Sequence, residues 1–147
     1  MKLRFMLFVF SFVSISAMAA EIKEDVKVLS AGDIASLATQ VVGAVKSCEG
    51  IATIKQVESI EVKNLTDESL DKTVLADALA KELAKKMKIK VKPADAKDTK
   101  YFVKATLAAK KTESATSYSG EYQLKAEFQD SSGNVTCWSN ASLIKRN

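Results

Sequence analysis

The sequence predicts an α+β fold, an antiparallel or mixed four-stranded sheet with two main helices packed on one face. Three observations carry that expectation. Apolar residues recur at helical spacing between residues 34 and 45, and again between 74 and 87. From residue 101 onward the period drops to two, and the alternating runs are separated by polar, turn-forming residues. A chain that mixes both periods buries one stripe per helix against one face of a sheet.

The first helix is expected from Ser30 to Glu49, because Ile34, Leu37, Ala38, Val41, Val42 and Val45 form one stripe. Ser30 with Asp33 resembles a capping box, and Gly50 suits a left-handed position after the last turn. Residues Thr53 to Lys63 are rich in β-branched side chains. Ile54 and Val57 fall out of phase with Ile60 and Val62, which implies a bulge or a late strand start. A polar loop follows, Asn64 to Ser69. Asp71 then caps a second helix with Val74, Leu75, Ala78, Leu79, Leu83 and Met87 on one face. Its later turns carry Lys81, Lys85, Lys86 and Lys88, where positive charge meets the negative end of the helix dipole. A short strand from Ile89 to Lys92 is closed by Pro93, and a polar connection runs on to Thr99. Three antiparallel strands finish the chain: Tyr101 to Ala109, Glu121 to Gln129, and Val135 to Lys145 after the turn Asp130-Ser131-Ser132-Gly133-Asn134.

The organisation expected is a signal peptide over residues 1–19, a short polar lead over 20–30 and one α+β domain over 31–147. Lys2 and Arg4 precede the apolar run Phe5 to Ile15, and Ala17-Met18-Ala19 offers the small-x-small pattern that signal peptidase cuts after. That run is well short of the roughly 20 residues needed to span a bilayer, so no retained membrane anchor is expected. Two of the 22 basic residues lie in the signal and none of the 18 acidic ones, which leaves the mature chain at a net +2. With lysines interleaved among carboxylates there is no concentrated basic face, and nucleic acid is not expected as a partner. The expected location is the periplasm.

The 147 residues include no histidine, which removes Ser-His-Asp and Cys-His catalysis and most zinc sites. Two Ser-x-x-Lys tetrads occur, Ser69 to Lys72 and Ser142 to Lys145, but without the companion elements of penicillin-recognising enzymes. No glycine-rich phosphate loop or calcium-loop spacing is present, so no cofactor and no enzymatic activity are expected. Asn64, Asn134 and Asn140 stand in glycosylation sequons, relevant only in a host that uses them. Cys48 and Cys137 are the two cysteines. An even count in an oxidising compartment favours a disulfide, the alternative being that Cys48 is a small buried residue.

From about Asp33 to Arg146 the order of elements and several local strings resemble the LpoB-type penicillin-binding-protein activators. The strings are Asp33 to Ala38, Val62-Lys63-Asn64-Leu65-Thr66, Leu70-Asp71, Tyr101 to Leu107, Tyr122-Gln123-Leu124 and Asn134-Val135-Thr136-Cys137-Trp138. The chain differs from that family in having Ala17-Met18-Ala19 where a lipobox cysteine would stand, and only about ten polar residues before its first helix. The resemblance implies a non-catalytic periplasmic protein that binds and modulates an envelope protein, in particular a bifunctional penicillin-binding protein. The alternative is a component of an outer-membrane assembly or secretion complex, related to curli-secretion or TolB N-terminal modules and self-associating through a sheet edge.

The candidate protein-binding residues are Asn64, Thr66, Asp67 and Asp71 in the loop, and Trp138 in the last strand. Asn64 and Thr66 equally suit a turn that satisfies its own backbone. Alternation places Val135, Cys137, Ala141 and Leu143 toward the helices and Trp138 on the opposite face, either covered by a neighbouring segment or exposed as a contact.

Overall fold

A computed structural model describes residues 28–93 and 99–147; the expected signal peptide, most of the expected polar lead and part of the connection after Pro93 lie outside the described residues. The elements run α1 (Ala31–Val45), a 3₁₀ turn (Glu49–Thr53), β1 (Gln56–Val57), β2 (Ile60–Asn64), α2 (Lys72–Met87), β3 (Lys90–Val91), β4 (Tyr101–Glu113), β5 (Tyr118–Asp130) and β6 (Val135–Arg146).

The capping box of α1 is formed: the Asp33 amide donates to Ser30 Oγ at 3.1 Å and the Ser30 amide to Asp33 Oδ2 at 2.9 Å. The helix stops at Val45, four residues short of the expected Glu49, and the chain tightens into the 3₁₀ turn. Gly50 lies inside that turn and is not left-handed; among the described glycines only Gly133 has positive φ. Its role is closeness, because a Cβ there would sit 3.2 Å from the Thr136 carbonyl oxygen and 3.4 Å from Cys137 Sγ.

The phase slip between Val57 and Ile60 marks a change of sheet. β1 pairs in parallel with β3 in a separate two-stranded sheet, whereas β2 joins the main one. The main sheet has the order β2-β4-β5-β6 and is mixed, with β2 parallel to β4 and the other two pairs antiparallel. Parallel neighbours need a long crossover, and α2 lies within it. In α2 the buried positions are Leu75, Leu79 and Leu83; Val74, expected on the same stripe, is 42% exposed in the first turn.

Both helices pack on one face, α1 over β5 and β6 and α2 over β2, and against each other. Between them lies one core that includes Leu37, Val41, Val45, Leu79, Leu83, Val103, Leu107, Tyr122, Leu124 and Phe128. β6 departs from the expected alternation at its start. Phe128 pairs with Cys137 and Gln129 with Val135, so the register shifts around Thr136 and Val135 is exposed rather than facing the helices. The disulfide between Cys48 and Cys137 is present, with Cα atoms 6.0 Å apart, and fastens the segment after α1 to β6.

Candidate functional site

The loop between β2 and α2 is held by its own side chains. Asn64, the last residue of β2, donates from Nδ2 to the Glu68 carbonyl (2.9 Å), while its Oδ1 accepts from the Thr66 amide (2.9 Å) and the Thr66 hydroxyl. Thr66 Oγ1 in turn accepts from the Glu68 amide (3.3 Å), and Asp71 Oδ1 accepts from the Thr73 amide (2.9 Å) as the N-cap of α2. Three of the four candidate loop residues therefore spend their polar atoms on backbone geometry.

The fourth, Asp67, points outward with its side chain 79% exposed, and is gripped by Lys111 from β4 at 2.8 Å. The hydrogen bond from Lys111, with its positive charge, holds the Asp67 carboxyl below its usual range; the same bond pushes the lysine up. Lys111 also lies 3.7 Å from Glu68 and 5.9 Å from the centre of the Tyr122 ring. Glu68 accepts from the Leu29 amide at 3.3 Å, tying the entry to α1 onto the loop.

Beneath the loop the Tyr118 and Tyr122 hydroxyls lie 3.4 Å apart and are buried. Burial, then the Tyr118 hydroxyl and the Glu68 carboxylate, push the Tyr122 phenol far up, so it stays protonated. Gly120 sits between them on β5, and a Cβ there would come within 2.6 Å of the Tyr118 oxygen. Sequence reasoning missed this floor of Glu68, Lys111, Tyr118 and Tyr122. Its one visible signal was Tyr118-Ser119-Gly120-Glu121-Tyr122, two aromatics on one strand face with a gap between them. What the loop offers outward is Leu65, 57% exposed, beside Asp67, with Val74 in the first turn of α2.

Trp138 is not part of that surface. The loop follows β2 at one edge of the sheet, and Trp138 lies on β6 at the other, three strand spacings or about 14 Å away. The indole is 56% exposed on the face opposite the helices, with Lys125 Nζ 5.3 Å from the ring centre and Glu127 3.4 Å from that lysine. Among the described residues no helix covers this face.

The Ser-x-x-Lys tetrads do not form a catalytic pair in β6: Ser142 is exposed on the outer face, while Lys145 points inward to Asp33 at 2.7 Å. Ser69 is an exposed loop residue ahead of the cap. Among the described residues no group of three or more His, Cys, Asp or Glu is placed to hold a metal ion, and no helix is long and apolar enough to cross a membrane.

Fold and site together define a two-layer α+β protein with a braced loop at one sheet edge and an exposed tryptophan at the other. No family model matches the sequence, and no curated protein matches it. Among solved structures the chain is similar to the LpoB C-terminal domain from Salmonella enterica, with a TM-score of 0.46 and 12% identity, covering 76% of this chain and 98% of that one.

Proposed function

We propose that this chain is a non-catalytic periplasmic protein, released from its signal peptide, that binds an envelope protein through the loop after β2 and modulates it. The sequence resemblance described above makes a peptidoglycan synthase of the penicillin-binding class the first partner to test. The observation that carries the reading is the loop itself. Asn64, Thr66 and Asp71 fix its backbone, and Leu65 and Asp67 are left facing solvent. A large apolar side chain held outward on a fixed frame loses little conformational entropy on binding. The disulfide and the signal pattern both support an oxidising compartment.

The test is capture from envelope extract with tagged mature protein, wild type beside Leu65→Asp. Recovery of a synthase by the wild type and its loss with the variant supports the reading. Equal recovery by both removes the loop from the contact.

A further inference from the structure

We propose that β6 is the seam of a symmetric dimer, in which a second copy of this chain lays its own β6 antiparallel against it and continues the sheet to eight strands. β6 stands at the edge of the main sheet, and among the described residues no strand pairs with its outer side, which is open from Trp138 onward; at its start the turn after α1 sets Gly50 and Cys48 Sγ against the Thr136 carbonyl. It is 12 residues long, contains neither proline nor glycine, and keeps its charged side chains, Lys145 and Arg146, at its end. An edge of this kind is a template for pairing, because alternate backbone amides and carbonyls point away from the sheet. The other edge, β2, is only five residues long.

The side chains select both the occupant and the register. Trp138 and Ile144 are 56% and 52% exposed on the outer face of β6, six positions apart. Antiparallel pairing that keeps like faces together sets even positions against even and odd against odd. Two such registers leave a single residue of β6 unpaired. The one centred on Asn140 sets Trp138 against Ser142 and Ile144 against Thr136. The one centred on Ala141 sets Trp138 against Ile144 of the second copy, and by symmetry does so twice, giving two aromatic to β-branched pairs between side chains that are otherwise about half exposed.

Within β6 itself the register opposes no like charges, since Lys145 and Arg146 fall opposite Cys137 and Thr136 of the second copy. Arg146 lies diagonal to Trp138, where Lys125 already stands 5.3 Å from the ring centre and 3.4 Å from Glu127, so the Trp138–Ile144 pairs and not the charges select the register. On the inner face Ala141 meets itself at the two-fold axis. There α1 is already fixed over β6, with Ser139 Oγ donating to the Val41 carbonyl at 2.7 Å and Lys145 to Asp33. This seam is separate from the loop after β2.

Sedimentation of the secreted protein over a concentration series tests the proposal. A reversible monomer–dimer equilibrium is expected, with Ile144→Lys weakening it about tenfold or more, since a lysine enters both pairs. The register is read by disulfide trapping. A mixture of Trp138→Cys and Ile144→Cys chains should cross-link under mild oxidation, and Trp138→Cys alone should not. A protein that stays monomeric up to about 1 mM overturns the proposal. So does dimerisation that Ile144→Lys leaves unchanged, or cross-linking of Trp138→Cys to itself.

Discussion

Asp33 joins three parts of the molecule, capping α1 through Ser30 and pairing with Lys145 at the end of β6, which in turn holds the Val28 carbonyl. Partial burial pushes its carboxyl up, but the hydrogen bonds from Lys145 and Ser30 outweigh that and hold it below the ordinary 3.8. A carboxyl lowered in the folded state adds stability above its unfolded pKa and loses it as pH falls through the folded one. The urea midpoint of the wild type should therefore drop as the solution is acidified below about pH 4, and Asp33→Asn should flatten that drop. At neutral pH the same variant should cost about 1 kcal/mol through the weakened cap and ion pair. A second residue-scale expectation concerns Gly120. Gly120→Ala drives a methyl toward the Tyr118 oxygen and should destabilise by about 1–3 kcal/mol, measured by chemical denaturation. Tyr118→Phe removes that oxygen, so the double variant should recover part of the loss, and strictly additive effects would contradict the packing described. The capping residues were legible in the sequence because a cap is a local pattern. The tyrosine floor was not, because Glu68, Lys111 and Tyr122 come from three separate elements and meet only after folding.

At the scale of elements, the periodic signals placed α1, α2 and the three long strands, and each departure has a physical origin. β1 is two residues long, too short for any period to show, and the phase slip at Val57 and Ile60 was its only trace, while β3, equally short, falls within the strand expected from Ile89 to Lys92. The shift at Thr136 is set by pairing with Phe128 and Gln129, which the local sequence of β6 does not encode. Gly50 was read for its freedom of φ, whereas the fold uses its missing Cβ. The disulfide crosses these elements over a sequence separation of 89. Closing a loop of that length contributes about 4.6 kcal/mol in the chain-entropy model, so reduction, or Cys48→Ala with Cys137→Ala, should lower the melting temperature by many degrees. An unchanged melting temperature on reduction would contradict the structural role given to the bridge.

For the whole molecule, the proposed signal peptide predicts a secreted product with the intact mass of a chain lacking residues 1–19, cut after the small-x-small pattern ending at Ala19, and retention of those residues would contradict it. The candidate site was legible in part. The sequence located the loop, and the structure divided its residues into those that build it and those it presents. It also separated Trp138 from the loop by the full width of the sheet. No local pattern carries that separation, because β2 comes early in the chain and β6 last, and only the strand order puts them at opposite edges. The central claim is that the braced loop is a protein-binding surface, and calorimetric titration of the mature protein with the soluble region of a bifunctional penicillin-binding protein tests it most directly. Saturable binding by the wild type is expected, weakened about tenfold or more by Leu65→Asp, with Trp138→Ala binding as the wild type does. Absence of binding, or equal binding by Leu65→Asp, would contradict the account.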